Sequence, residues 1–161
     1  MADSGASADF TDLYNRHVDT VYRVCYTLLR NKADAEDATQ NVFIKLLAKP
    51  KAFQSEQHER AWLIRVASNY CKDVLKSSWA KRTNLDAMPE PITTDEEIDE
   101  TLTEVLKLPE NLRICIYLYY YEGYSTAEMA EMIQKTNSTV RNYLSDARKQ
   151  LRERLAVSLD D

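Results

Sequence analysis

The chain has 161 residues, of which 44% are hydrophobic, and a formal net charge of −5. This length allows one domain or two small ones, and no apolar run approaches the ~20 residues that a membrane-spanning helix needs. The N-terminal residues do not show a basic stretch followed by an apolar core, so we expect no secretion signal and a cytoplasmic location. Cys25, Cys71 and Cys115 are far apart, fit no metal-ligand spacing, and indicate buried thiols in a reducing compartment.

Helical periodicity runs through most of the chain, whereas the apolar alternation of strands is missing, and only two glycines occur. We therefore predict an all-α fold. Residues 1–8 are small and polar and are expected to be disordered. A three-helix domain is predicted over residues 9–80, with a polar loop at residues 51–58. Its helices are predicted at about 10–30, 33–48 and 59–79.

Residues 81–97 contain prolines and acidic residues with little apolar content, which predicts a flexible acidic linker. A second helical domain is predicted over residues 98–157. It begins with a short helix that ends near Leu106. A second helix starts at Pro109, a favourable first-turn residue, and continues to the turn at Gly123. The apolar side of this second helix is predicted to carry Leu112, Ile116, Tyr119 and Tyr120.

The next segment predicts two helices joined by a tight turn. Ser125 and Glu128 have the spacing of a capping box, and Met129, Ala130 and Ile133 give the first helix an apolar face. After a polar break at residues 134–137, the second helix carries an apolar stripe, formed by Val140, Leu144, Ala147, Leu151 and Leu155. Its other face is rich in hydrogen-bond donors: Ser138, Thr139, Arg141, Asn142, Ser145, Arg148, Lys149 and Arg152. A helix-turn-helix that enters a DNA major groove fits this pattern, and so does an amphipathic hairpin with a solvated basic face.

The charge is segregated along the chain. Basic residues predominate between Arg60 and Arg82, acidic residues between Asp86 and Glu110, and basic residues again in the last helix. The two basic patches can contact phosphates, but the negative net charge predicts weak binding to DNA without the help of a partner.

The second predicted helix has a mixed outer side. Asp37, Gln40, Asn41 and Ile44 lie opposite the core stripe, with Phe43 and Leu47 at its flank. A solvated face explains the polar residues but leaves the apolar ones without a partner. We therefore expect a helix-on-helix protein interface here.

The chain resembles the sigma-70 family of bacterial transcription initiation factors in three segments that occur in the family's order. These are ADAEDATQNVFIKLL at 33–47, AWLIRVASNYCKD at 61–73, and LPENLRICIYLYYYEGYSTAEMAEMI with STVRNYLSDARKQL at 108–133 and 138–151. Because a linker alone separates the two predicted domains, the resemblance is to the extracytoplasmic-function (ECF) subgroup. It implies sigma region 2 in the first domain and sigma region 4 in the second.

The resemblance implies a specificity subunit with no cofactor and no catalysis of its own. Region 2 is expected to bind the β′ clamp coiled coil of core RNA polymerase and to recognise and melt the −10 element. Region 4 is expected to read the −35 element of promoter DNA and to contact the β flap. An anti-sigma factor is an expected further partner.

The resemblance also assigns roles to individual residues. It implies core-polymerase binding by Asp37, Gln40, Asn41, Phe43 and Leu47. It implies −10 recognition by Trp62, Arg65, Asn69, Lys72 and Asp73, with the loop Phe53–Glu59 as a pocket for a flipped base. It implies −35 contacts by Ser138, Thr139, Arg141, Asn142, Ser145, Arg148 and Lys149. The chain departs from the family pattern at Asn41, Tyr143 and Asp146.

Three other classes of protein compete with this interpretation. An enzyme is the weakest, because His17 and His58 are isolated and the sequence shows no phosphate loop, metal spacing or nucleophile with its base. A stand-alone helix-turn-helix repressor or activator is the main alternative, and it would bind a palindromic operator as a dimer. An adaptor that never touches DNA is disfavoured by the basic face of the last helix.

Overall fold

The computed structural model describes residues 2–82 and 100–160, and the side chains of residues 9–77 and 102–155. The chain divides into two compact units, Met1–Leu85 and Asp86–Asp161. The elements of the described ranges are all helices, which confirms the predicted all-α fold. None of the helices in these ranges is long and apolar enough to cross a membrane. Of the predicted linker, residues 83–97 lie outside the described residues, and Lys81 and Arg82 end a helix.

The first unit consists of three helices that pack against one another, as predicted. They are α1 (Ala2–Leu29), α2 (Lys32–Ala48) and α3 (Glu56–Arg82). The predicted disorder of residues 1–8 is wrong for residues 2–8, which form the first turns of α1. The alanines in this stretch have the highest helix propensity of any residue type.

Local hydrogen bonds set where α2 and α3 begin. Arg30 adopts a left-handed conformation (φ 57°) directly after α1, and the side chain of Asn31 accepts a hydrogen bond from the Asp34 amide at 2.9 Å to cap α2. The Ser55 hydroxyl accepts from the His58 amide at 3.1 Å, and the Ser55 carbonyl accepts from the Glu59 amide at 3.0 Å. This cap explains why α3 begins three residues earlier than predicted.

Apolar residues on the facing sides of the three helices form the core of the first unit. The buried set is Leu13, Val21, Val24, Cys25, Leu28, Ala35, Ala38, Val42, Phe43, Leu46, Leu63, Ile64, Ala67 and Cys71. The predicted inner face of α2, which consists of Ala35, Ala38, Val42 and Leu46, is confirmed. Burial of all three cysteines is also confirmed. The hydrogen bond to Cys25, together with burial, raises the pKa of the Cys71 thiol.

A polar cluster joins α1 to α3 at the edge of this core. Glu59 accepts hydrogen bonds from Arg16 Nη2 at 3.0 and 3.1 Å, and its Oε1 lies 2.8 Å from Nε2 of the buried His17. Because an ionised carboxylate only accepts hydrogen bonds, Nε2 is the donor in this contact. Burial opposes ionisation of Glu59, but the hydrogen bonds from His17 and Arg16 outweigh it and lower the pKa of the carboxyl.

The second unit is built around a long C-terminal helix. Its elements are α4 (Glu100–Leu106), α5 (Glu110–Ile116), α6 (Thr126–Ile133) and α7 (Asn137–Asp160), and α4, α5 and α6 all contact α7. The buried Arg113 donates from Nη1 to the carbonyls of Leu106 and Leu108 at 3.3 and 3.1 Å. These bonds satisfy carbonyls at the C-terminal end of α4 and fix its connection to α5.

A π-helical turn, Tyr117–Tyr121, continues α5. The Glu122 amide donates to the Tyr117 carbonyl at 3.2 Å, an i→i+5 spacing. Because a π turn holds more residues than an α turn, side chains beyond it no longer follow the 3.6-residue period. Tyr117 and Leu118 are buried, whereas Tyr119 and Tyr120 are 36% and 56% exposed. The prediction that Tyr119 and Tyr120 lie on the apolar side was therefore wrong.

The predicted helix-turn-helix is confirmed in α6 and α7. The capping box is present, because Ser125 Oγ accepts from the Glu128 amide at 3.2 Å and Glu128 Oε1 accepts from the Ser125 amide at 3.0 Å. Gln134 ends α6 in a left-handed conformation (φ 56°). Along α7, Val140, Leu144 and Ala147 are buried as predicted.

Candidate functional site

One side of α2 faces solvent and carries most of the predicted protein-binding residues. We call Asp37, Gln40, Asn41, Ile44 and Leu47 the α2 surface. Asp37 and Gln40 are exposed and Asn41 is half-buried. Ile44 and Leu47 are 58% and 57% exposed, so more than half of each side chain contacts water in this unit. Two large apolar side chains exposed on one helix face are typical of a protein-binding surface.

Phe43, which the resemblance assigned to polymerase binding with these residues, does not lie on the α2 surface. It is 3% exposed and packs edge-on against Tyr14 and Phe10, with ring centroids 4.8 and 6.4 Å away. The α2 helix turns Phe43 toward α1, whose aromatic residues cover it. Its contribution is to the core of the first unit.

Hydrogen bonds and a cation–π contact order the polar edge of the α2 surface. Asn41 Nδ2 donates to the Asp37 carbonyl at 2.9 Å and to its carboxylate Oδ2 at 3.4 Å. Lys45 Nζ lies 4.9 Å from the centre of the Tyr70 ring. Burial, followed by the nearby Asp37 charge, raises the pKa of the Tyr70 hydroxyl. Asn41, one of the departures from the family pattern, therefore restrains the Asp37 side chain.

The α3 helix carries the residues that the resemblance assigned to −10 DNA. Their spacing places them on one helix face, which we call the α3 surface: Trp62, Arg65, Asn69, Lys72 and Asp73. Arg65 and Asp73 are exposed, and the other three are half-buried. A half-buried aromatic ring beside amide and cationic groups can stack on a base and hold a phosphate.

The segment before α3 adds two residues to this surface. The Phe53 ring packs 5.5 Å from Trp62 and 5.4 Å from His58, and Lys51 Nζ lies 5.2 Å from the centre of the Trp62 ring. His58 Nδ1 accepts from the Gln54 amide at 3.2 Å, which holds the segment against α3. The predicted loop Phe53–Glu59 is shorter than expected, because α3 begins at Glu56.

An open cleft of about 840 Å³ lies beside Phe53 and Lys51. Leu46, Leu47 and Pro50 form one wall, and residues of the N-terminal half of α1 form another. The sequence pattern gave no sign of Lys51, because a lone lysine after Pro50 is indistinguishable from a solvated side chain.

The outer face of α7 carries the residues predicted to contact −35 DNA. Ser138, Arg141, Asn142, Ser145, Arg148 and Lys149 are all exposed and share one face by their spacing, opposite the buried stripe. We call these six residues the α7 surface. Arg141 and Asn142 lie in the first turns of α7, where helix-turn-helix proteins place base-reading side chains. Arginine and asparagine can each make two hydrogen bonds to the major-groove edge of a purine.

Thr139 lies to the side of the α7 surface and is half-buried. Its hydroxyl accepts from Thr136 Oγ1 at 2.8 Å, and its amide donates to the same Thr136 oxygen at 3.2 Å. These bonds use Thr139 in the N-terminal cap of α7. The structure therefore separates it from the other residues assigned to −35 DNA.

Arg148 has partners that sequence reasoning missed. Its Nε donates to the Tyr120 hydroxyl at 2.7 Å, and its guanidinium carbon lies 5.5 and 5.7 Å from the ring centres of Tyr119 and Tyr120. The run of three tyrosines at 119–121 was a possible signal, but helical periodicity placed two of them on the buried side.

Comparison with known proteins identifies both units. The family model "Sigma-70 region 2" matches residues 13–81, and "Sigma-70, region 4" matches residues 98–151. The chain is 31% identical to the ECF RNA polymerase sigma factor SigE of Mycolicibacterium smegmatis over 166 residues, which covers 96% of this chain and 64% of that protein. It is 27% identical to the ECF sigma factor SigW of Bacillus subtilis, with 95% and 90% covered. The chain thus spans just under two thirds of SigE.

Two solved structures have a similar fold. One is the sigma factor RpoE in complex with the anti-sigma factor NepR from Bartonella quintana, with a TM-score of 0.75, 20% identity, and coverage of 92% of this chain and 98% of that chain. The other is CnrH in complex with the cytosolic domain of CnrY, with a TM-score of 0.67, 21% identity, and coverage of 96% and 92%. At these identities the likeness concerns the fold alone. The two family models and the curated relatives show that this chain belongs to the sigma-70 family, as a factor of the ECF group.

Proposed function

We propose that this chain binds core RNA polymerase and directs it to specific promoters, without catalysis of its own. In this proposal residues 9–80 act as region 2 and residues 98–157 as region 4. The observation that carries it is the pair of apolar side chains on the α2 surface, Ile44 and Leu47, each more than half exposed. An exposed apolar pair on the same helix face as Asp37 favours a protein partner that buries it, and DNA offers no comparable surface.

The α2 surface is proposed to bind the β′ clamp coiled coil of the core enzyme. Burial of Ile44 and Leu47 against a helical partner supplies free energy, and the ordered Asp37 carboxylate supplies orientation through a basic partner residue. Because Asn41 already restrains Asp37, this carboxylate loses less side-chain freedom when the partner binds. Contact with the β flap is assigned to region 4.

The α3 surface is proposed to recognise and melt the −10 element. Melting requires that unpaired bases be held outside the duplex, and Trp62 with Phe53 offers the aromatic surface for stacking. Arg65 and Lys72 contact the backbone, and Asn69 offers an amide for base hydrogen bonds. Lys51, next to Trp62, extends this role to a residue outside α3.

The α7 surface is proposed to read the −35 element as duplex DNA. Arg141 and Asn142 contact base edges, and Arg148 and Lys149 contact phosphates. Asp146 is exposed on the same helix, so the −35 sequence that this chain selects is expected to differ from that of relatives with a basic residue there.

Further partners follow from the family. The matched RpoE structure contains an anti-sigma factor, and we propose that this chain also binds one and is inactive while it is bound. Since polymerase and promoter DNA are in the cytoplasm, the protein is proposed to act there.

Co-purification with bacterial core RNA polymerase, followed by transcription from a promoter library, tests the proposal. Asp37→Arg should abolish most of the association while leaving the thermal unfolding of the chain unchanged, because Asp37 is exposed. Asp19→Arg is the matched control, since it makes the same charge reversal at an exposed position of α1. Tight binding of the isolated chain to a palindromic duplex, with no affinity for core polymerase, would instead establish a stand-alone helix-turn-helix regulator.

A further inference from the structure

Arg148 is the α7-surface residue for which the structure shows an aromatic support. Three contacts hold its guanidinium. Its Nε donates to the Tyr120 hydroxyl at 2.7 Å, and its central carbon lies 5.5 and 5.7 Å from the ring centres of Tyr119 and Tyr120. The two rings themselves pack edge to face, with centroids 4.9 Å apart and planes at 74°. We call Tyr119 and Tyr120 the tyrosine pair.

The π turn is what brings the tyrosine pair to Arg148. An uninterrupted α-helix would keep Tyr119 and Tyr120 in line with the buried Leu112 and Ile116, whereas the wider turn leaves them exposed beside α7. The turn is held by Tyr117, which stacks on Tyr121 at 5.7 Å and donates from its hydroxyl to Glu122 Oε1 at 2.6 Å. Single π turns within helices are frequent at functional sites.

The contacts determine which N–H groups of Arg148 can bind an anion. The Nε–H is used by Tyr120, so the N–H groups of the two terminal nitrogens remain for an anion. The hydroxyl fixes the plane of the guanidinium, and the rings favour its position without neutralising its charge. An unsupported arginine side chain pays a conformational-entropy cost when a phosphate fixes it in one rotamer. This cost is smaller for Arg148, because its contacts with the tyrosine pair already restrict the side chain.

We propose that Tyr119 and Tyr120 are positioning residues that hold Arg148 ready to contact the DNA backbone at the −35 element. This inference rests on the proposed function, since it assumes that the α7 surface binds DNA. The tyrosine pair acts through Arg148 and needs no DNA contact of its own. A contact made only for stability is a weaker explanation, because Arg148 and Tyr120 are both exposed, and exposed pairs contribute little to folding.

The test uses full-length chain assembled with core polymerase and a duplex promoter selected from a library. Tyr120→Phe removes the hydroxyl and keeps the ring, and it should weaken promoter binding by about 3–10-fold, as expected for an arginine that must be ordered on binding. Tyr14→Phe is the matched control, because it also removes a hydroxyl from an exposed tyrosine while keeping the ring, at a position of α1 outside the proposed DNA-binding surfaces. It should bind like the wild type.

A double-mutant cycle with Arg148→Ala separates positioning from a structural effect. Arg148→Ala should reduce the slope of log affinity against log salt by about 1, as expected when one phosphate contact is lost. In that background Tyr120→Phe should have no further effect, because its action passes through Arg148. The melting temperature of each variant should match that of the wild type.

Three results would overturn the proposal: wild-type binding by Tyr120→Phe, the same loss of binding with and without Arg148, or tighter binding by Tyr120→Phe. The last result would show that the hydroxyl sequesters Arg148. If wild-type chain confers no promoter binding on core polymerase, the proposed function itself fails. Promoter binding by the wild type with no effect at Tyr120 rejects the positioning role alone.

Discussion

The α2 and α7 surfaces are both single faces of helices, yet they differ in what they expose. On α2 the exposed residues include Ile44 and Leu47, whose side chains have no polar atoms. On α7 the exposed face consists of polar and cationic side chains such as Arg141 and Lys149, and its apolar residues are turned inward. The contrast separates a surface suited to protein from one suited to nucleic acid.

Under the proposed function, the difference gives each surface a separate task. Phosphate contacts are screened by salt, and a net charge of −5 opposes long-range attraction to DNA. Apolar burial is much less sensitive to salt and supplies free energy in proportion to the area covered. A chain that first binds a large enzyme through α2 can therefore use α7 for selection among DNA sequences, with the enzyme providing much of the affinity.

The largest effect is expected at Phe43, and it tests whether this residue belongs to the core or to the α2 surface. Phe43→Ala should lower the free energy of unfolding of the first unit by about 3–5 kcal/mol, because it leaves a cavity against Tyr14 and Phe10. Urea denaturation of the full chain, followed by circular dichroism, measures this change. Ile44→Ala is the control and should alter stability by less than about 0.5 kcal/mol. Equal stabilities for both variants would mean that Phe43 belongs to the exposed surface after all.

A smaller effect is expected on the α7 surface. Arg141→Ala should cost about 1–3 kcal/mol of discrimination at one base pair of the −35 element, because a bidentate contact to guanine is lost. Selection from a randomised promoter library by the assembled polymerase measures it. Lys149→Ala provides the comparison, since loss of a phosphate contact should weaken all promoters alike. A uniform loss for Arg141→Ala would reassign that residue to the backbone.

The smallest effect concerns the pH dependence of folding in the first unit. Because the folded pKa of Glu59 lies below its ordinary value of 4.5, its ionisation stabilises the folded state at neutral pH, and this contribution is lost as the pH falls from that value through the lowered pKa. Glu59→Gln should be less stable near neutral pH, and its stability should fall less steeply than that of the wild type as the pH falls through 4.5 and below.

Thermal unfolding at a series of pH values measures this slope. Glu56→Gln is the control, because Glu56 is 69% exposed and lies 3.7 Å from the same Arg16. Its unfolding should follow the wild-type pH profile, since an exposed ion pair contributes little. A Glu59→Gln profile parallel to that of the wild type would contradict the assigned role of the Glu59 carboxylate.

The elements that follow ordinary periodicity could be predicted from the sequence. The buried stripe of α7 follows the helical repeat, at Val140, Leu144 and Ala147, and the capping box needs only the three-residue spacing of Ser125 and Glu128. Local rules were therefore enough to place both features. The π turn could not be predicted in this way. Its extra residue breaks the 3.6-residue period at Tyr117, and the contact between Tyr120 and Arg148 depends on that break.

Helical periodicity was also insufficient to place some residues of the candidate sites. Phe43 lies at the flank of α2, where helical spacing alone does not decide between core and surface, and the aromatic residues of α1 bury it. Thr139 belongs to the donor-rich run of α7, but the cap formed with Thr136 engages its hydroxyl. In both cases the neighbours that bury the side chain or bond to it cannot be read from a one-dimensional pattern.

The central claim is that the exposed apolar pair of the α2 surface attaches this chain to core RNA polymerase. The most direct measurement is the affinity of purified core enzyme for the double variant Ile44→Asp/Leu47→Asp, by fluorescence anisotropy of labelled chain. We predict a fall of roughly 30-fold or more, equivalent to about 2 kcal/mol, with unchanged melting temperature. An affinity equal to that of the wild type would contradict the account.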